Sequence, residues 1–246
     1  MNIIQKGNKY TNSSSRDGHA PIAIVDHISS GTMSSMDAWF TSSGNEQSSA
    51  HFGVSKAGEI HQYVDIQRMA WANGLSVASI AKATAPLIKE QSPTNPNKYA
   101  VSIEHEGTDG TLTEAQFAAT VWLHKYISAE VKRLYGKPIV LDERHVIGHF
   151  QVDPVRKPHC PGPKFPWSRL YAALKTKEDE DVKVDKAGTV VNGNRLADDS
   201  VLIEGRVYVP LAAVGEAIGA KVNWNNVTKT ATLTTKGGNN HEQQMA

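Results

Sequence analysis

Apolar and polar positions along this chain change their period several times, and the changes mark out its elements. Pro21–Asp26 (PIAIVD) is a short apolar run rich in Ile and Val, which predicts a buried central strand with His27 at its end. After the turn-prone SSGTMSS, Met36, Trp39 and Phe40 fall at helical spacing, so a helix is expected to start near Ser34 or Ser35 with serine as its cap. Two alternating runs within Ala50–Val64, joined by Lys56-Ala57-Gly58-Glu59, predict a hairpin with glycine available for positive φ, and Tyr99–His105 reads as another strand. The strongest helical signal is Thr113–Tyr135: Phe117, Val121, Leu123, Ile127, Val131 and Leu134 share one broad face, and Glu114 stands near the start. His124 lies within that face and reads as a hydrogen-bonded core histidine.

Periodicity is lost between Val146 and Trp167, where five prolines exclude regular helix or central strand through most of the stretch. Three aromatics in the same stretch argue against disorder, so a functional loop is expected. Ser168–Leu174 predicts a terminal helix, and Lys175–Lys186 is a charge run that reads as a solvated linker. Beyond it come short strands (TVVNG, SVLIEG, RVYVP), one amphipathic helix at Leu211–Ile218, and two strands flanking the Asn225-Asn226 turn. Core packing is the expected use of Tyr208 and Trp224 in this unit. The alternation predicts an α/β domain over residues 1–176, a charged linker over 177–187, a small α+β domain over 188–235 and a polar tail over 236–246.

Composition narrows the function more than the fold. With 26 Lys+Arg against 25 Asp+Glu the net charge is +1, which gives no global attraction to nucleic acid. No run approaches the roughly 20 apolar residues of a membrane helix, so no membrane insertion is expected. The N-terminal residues lack an apolar core and a small-residue cleavage site, so synthesis in the cytoplasm without a secretory signal is expected. Cys160 is the single cysteine and cannot form an intramolecular disulfide; it must be a core residue, a nucleophile or a metal ligand. Of ten histidines, His27 ends a buried strand and His149 shares the proline-rich loop with Cys160. Two imidazoles and a thiolate leave the fourth tetrahedral position open, as a catalytic zinc requires. His145, four residues before His149, reads as a structural hydrogen-bonding residue.

In order along the chain, IVDHISSGT, SAHFGVSKAGEIHQYVD, AWANG, SIEHEGT and VIGHFQVDP…CPGPKFPW resemble the zinc-dependent N-acetylmuramoyl-L-alanine amidases of the type-2 amidase family, related to peptidoglycan recognition proteins and phage lysins. The resemblance covers about residues 15–176. It implies a central mixed β-sheet flanked by helices with a zinc groove, Zn2+ held by His27, His149 and Cys160, and Glu104 as the catalytic carboxylate. It further implies peptidoglycan as the partner and the amide between N-acetylmuramic acid and L-alanine as the bond cleaved. On a strand Glu106 shares the face of Glu104, either as a supporting group or as a salt-bridged strand end.

The chain departs from the family pattern at several positions. The family often places a lysine two residues before the third ligand to stabilise the oxyanion; here Pro158 stands there, leaving Lys157 or His159 as donor, with Lys157 favoured. Ala50 replaces a frequent tyrosine and Ala72 a frequent histidine, which leaves His51 and Trp71 as candidate groove residues beside His159. VNGNRLADDSVLIEGRVYVPLAAVGEAIGAKVNWNNVTKTATL resembles the small stalk-like domain named after the N-terminal domain of copper amine oxidases, which implies wall attachment or spacing. Copper is not expected there, because Gly188–Thr235 contains no His, Cys or Met. The expected function is thus a wall-lytic zinc amidase such as a phage endolysin; a host autolysin and a non-catalytic peptidoglycan-binding module are the alternatives. Retention of Glu104 with all three ligand types favours the enzyme.

Overall fold

Three parallel strands carry the apolar runs that the sequence marks most clearly. The structure, a computed structural model, describes residues 1–175, 185–197, 200–203 and 206–235. Chain contacts divide it into two units, Met1–Thr176 and Lys177–Ala246.

The first unit begins with β1 (Ile3–Gln5), β2 (Ser13–Ser15), β3 (Ala23–Ile28) and helix α1 (Met33–Phe40). There follow β4 (Phe52–Val54), β5 (Ile60–Gln62), β6 (Arg68–Ala70), the short helices α2 (Val77–Ile80) and α3 (Pro86–Glu90), and β7 (Ala100–His105). The unit ends with α4 (Glu114–Tyr135), β8 (Val146–Gly148), α5 (His149–Val152) and α6 (Trp167–Leu174). Six strands form one mixed sheet in the order β1-β5-β4-β7-β3-β8, antiparallel only between β4 and β5. β2 and β6 pair separately as a small antiparallel ribbon.

Alternation along the central strands builds a core on each face of the sheet. Ile24, Val101, Ile103 and Val146 pack with Phe117, Leu123, Ile127 and Val131 of α4 and with Leu170 and Leu174 of α6. Val25 and Ile147 face the other way, against Ile80, Leu87, Ile88 and Val152. Met33, Met36 and Phe40 of α1 cover the end of that face with Tyr63 and Val64. Thr113 caps α4 by accepting from the Gln116 N–H, and Gly136 ends it at φ +83°, a left-handed conformation that a side chain would oppose. A two-pronged ion pair from Arg169 to Glu114 fastens α6 to the start of α4.

Several expectations shift in detail. Helix α1 starts at Met33, one or two residues earlier than the apolar spacing suggests, because Thr32 forms a reciprocal capping box with Ser35. The stretch expected to be irregular from Val146 opens instead with β8 and the one-turn α5, since the first proline comes only at Pro154.

The second unit contains β9 (Asp185–Ala187), β10 (Val190–Val191), β11 (Asn194–Arg195), β12 (Ser200–Ile203), β13 (Arg206–Tyr208), α7 (Leu211–Ala217), β14 (Lys221–Asn225) and β15 (Thr230–Thr234). β12 is central between β13 and β9, so the end of the expected charged linker is a strand. Linker positions 177–184 and the expected polar tail lie outside the described residues. Tyr208 and Trp224 are 51% and 61% exposed, contrary to the core packing expected of them: β13 is an edge strand and β14 belongs to a two-stranded hairpin. No described helix is long and apolar enough to cross a membrane.

Candidate active site

Parallel strands end together, and here three adjacent ends bring chemistry to one place. β7, β3 and β8 lie side by side, His27 is level with Glu104 in the register, and Asp26 is level with Gly148, the residue before His149. The carboxyl ends of parallel strands are the usual place for a site in an open α/β sheet. Cys160 arrives from the proline-rich loop. That loop is tied down by Phe150 N–H donating to the Cys160 carbonyl at 2.8 Å and Cys160 N–H donating to the Lys157 carbonyl at 3.2 Å.

One donor atom from each of His27, His149 and Cys160 lies within 4.8 Å of the others, the only such group among the described residues. The two imidazoles meet edge to face with centroids 4.3 Å apart, and Ile28 N–H points at the Cys160 sulfur at 3.4 Å. Glu104 Oε1 stands 3.9 Å from His27 Nδ1, and Glu104 Oε2 is buried without a hydrogen-bond partner.

The charges fit a cation that the side chains await. Burial pushes His27 well below the ordinary imidazole range, with His149 adding to it, and pushes His149 down to about 4 with Lys157 adding to it. Both rings are therefore neutral near pH 7, the form that binds metal. Burial raises the Cys160 thiol to about 12 and Glu104 to about 8, the nearby Lys157 ammonium opposing both shifts. A divalent ion among these donors would reverse the penalty on the thiolate, so the residues fit one.

These groups floor a groove of about 1000 Å3. Trp39, Trp71, Ser29 and Arg156 are among its walls, and Lys157 lines it beside Glu104 and the three ligand candidates. His159 is exposed and lines only a smaller neighbouring cleft of about 280 Å3, which Lys157 shares. His51 does not reach the groove. It is fully buried, its Nδ1 accepting from Ser102 N–H and its Nε2 facing the Arg68 carbonyl, beside the guanidinium of buried Arg16. Glu106 holds the hairpin turn, its carboxylate accepting from Lys56 N–H at 2.8 Å. His145 is bound to Asp142 at 2.6 Å, a structural role.

Residues 17–163 match the family model for N-acetylmuramoyl-L-alanine amidase. The chain belongs to that family. Its residues 181–244 match the model of the copper amine oxidase N-terminal domain. Among curated relatives of this amidase-family chain, the 1,6-anhydro-N-acetylmuramyl-L-alanine amidase AmpD of Enterobacter cloacae is 33% identical over 131 residues, 52% of this chain and 58% of that protein. AmpD of Escherichia coli K12 is 31% identical over 132 residues, 53% of this chain and 60% of that protein. The chain thus spans less than two thirds of the length of these relatives. A crystal structure of a selenomethionine AmpD derivative superposes with a TM-score of 0.54 at 26% identity, covering 70% of this chain and 94% of that one.

Sequence reasoning missed Trp39, Arg156 and Asn73 as parts of the amidase-family site or its surroundings. Trp39 was legible only as a helix-face residue, and Arg156 as the neighbour of Lys157. Asn73 carries no signal of its own in AWANG beyond standing beside Trp71 and Ala72.

Proposed function

We propose that this protein is a zinc-dependent hydrolase of the amide joining N-acetylmuramic acid to L-alanine in peptidoglycan. The observation that carries this reading is the convergence of His27, His149 and Cys160 with Glu104 on one groove floor, in a member of the amidase family. His27, His149 and Cys160 would hold the zinc. When bound, zinc supplies a Lewis acid for the amide carbonyl and acidifies water from a pKa of about 16 to about 7.

Glu104 takes a proton from the attacking water and returns one to the departing amine nitrogen. Its buried, unpartnered Oε2 and its raised pKa suit a group that alternates between the two forms near neutrality. Lys157 lines the same groove and is the side chain placed to donate to the oxyanion, whereas His159 does not line the groove. Trp39 and Trp71 give the walls flat apolar surfaces for sugar or peptide. The second unit, with Tyr208 and Trp224 exposed, is suited to hold the enzyme at the wall. Such a protein serves a phage as an endolysin; the same chemistry serves a host autolysin.

The test is digestion of intact peptidoglycan and, separately, of a 1,6-anhydro muropeptide, the class named in the AmpD relatives. New L-alanine amino termini without new reducing ends, abolished by a chelator and restored by zinc, are expected on at least one substrate. Binding to the wall with no cleavage of either substrate would favour a recognition module. Full activity of a zinc-free Cys160→Ala protein would overturn the mechanism.

A further inference from the structure

Two buried atoms near the groove floor lack hydrogen-bond partners and complement one another. His27 Nε2 and Asn73 Oδ1 each belong to a residue no more than 2% exposed, and neither is bonded. A buried polar atom left unpaired is costly, so each of these two atoms calls for a partner. The Asn73 side chain comes within interaction range of the His27 ring.

The orientation of Asn73 is fixed from two directions. Asn97 Oδ1 accepts both Ala72 N–H at 3.1 Å and Asn73 N–H at 2.6 Å, which pins the backbone. The Asn73 amide nitrogen donates to Ser102 Oγ at 2.9 Å, so its carbonyl end is the end left free. Ser102 stands two positions before Glu104 on β7, on the same face of the strand. On the other side of the ring, His27 Nδ1 faces Glu104 at 3.9 Å.

We propose that Asn73 is a positioning residue for the metal centre: its Oδ1 accepts the Nε2–H of His27, fixing the tautomer whose Nδ1 lone pair faces the groove. This rests on the zinc reading above. A metal-bound histidine generally gives its other N–H to a fixed acceptor, and loss of that acceptor typically weakens metal binding about 10–100-fold. Asn73 does not touch the substrate in this scheme; it acts through His27.

The test measures zinc affinity of the folded protein by competition with a chromophoric chelator, together with the Tm of the same metal-free samples. Asn73→Ala is expected to weaken zinc binding about 10–100-fold, and Asn73→Asp, which keeps an acceptor, to stay within a few-fold of wild type. Equal affinity in wild type and Asn73→Ala overturns the proposal, whatever happens to the metal-free Tm. Equal losses in the Ala and Asp variants overturn it as well. A readout that needs no variant is the nitrogen–proton correlation of His27 in the zinc-loaded wild type: a proton on Nε2 is expected, and a proton on Nδ1 overturns the proposal. Wild type that binds no zinc would instead overturn the zinc reading itself.

Discussion

The Nδ1 of His105 donates to the main-chain oxygen of His27 at 2.9 Å, linking β3 to the opposite face of the sheet. His27 points to the groove, whereas Asp26 and His105 point toward α4, where His105 Nε2 lies 3.1 Å from Thr120 Oγ1 and Asp26 lies 3.2 Å from His124. All four side chains on the α4 side are completely buried. The floor of the groove therefore rests on a second polar layer.

Replacing His105 by Leu removes both contacts and leaves Thr120 and the His27 carbonyl short of a partner. A loss of about 1–3 kcal/mol in unfolding free energy is expected for the metal-free protein. Urea denaturation checks it, and an unchanged midpoint would mean that the layer merely fills space.

His124 makes this layer sensitive to pH. Burial lowers its pKa, but the Asp26 carboxylate and the Thr120 carbonyl outweigh burial and leave it above the ordinary value of 6.5. Both ring nitrogens face acceptors, at 3.2 and 2.8 Å, so folding favours the charged ring. His105, 3.8 Å from the same carboxylate, is shifted down, chiefly by its burial. The stabilisation is fully present below about pH 6.5 and is lost as pH rises through the raised folded value. The stability gap between wild type and His124→Gln should therefore narrow as pH rises above about 6.5. A gap that widens over that range would contradict the assignment.

Gly162 holds the cysteine loop against the loop that follows β7. Its φ is +120°, and an added Cβ would sit 2.3 Å from the Asp109 carbonyl carbon and 2.4 Å from Gly110 N. Gly162→Ala should strain the backbone by about 1–3 kcal/mol and displace Cys160 two residues away. Lower Tm together with weaker zinc binding is the expected pair of results. Lower Tm with zinc binding unchanged would show that Cys160 is held from elsewhere.

Chemistry separates the two lysine-loop candidates. Lys157→Met is expected to lower kcat about 100-fold with little change in zinc content, whereas His159→Ala should retain most activity. Glu104→Gln should lower kcat by about 100- to 10,000-fold while zinc stays bound. A His159 effect larger than that of Lys157 would reverse the assignment.

What could be read from the sequence follows the physics of each element. β3 and α4 were legible because a buried strand and a long amphipathic helix write their environment into consecutive residues. β1, β2, β6 and β8 have only three residues each, and α2 and α3 four and five, so distant pairing decides them rather than local pattern. His51 lies in a motif that resembles the family's, yet Arg16, Arg68 and Ser102 claim it for the interior. Asn73 was invisible for the opposite reason: only the folded chain places it against His27.

Pro158 and His159 are exposed, while Cys160 on one side and Lys157 on the other are held by main-chain bonds. The residue by which this chain exceeds the family's usual lysine-to-ligand interval can thus bulge outward without moving either end. On the proposed reading, the added residue leaves both the zinc ligand and the cationic side chain in place. A motif search that demands a fixed interval would pass over such sequences, whereas one anchored on the ligand and the following Pro-Gly would retain them.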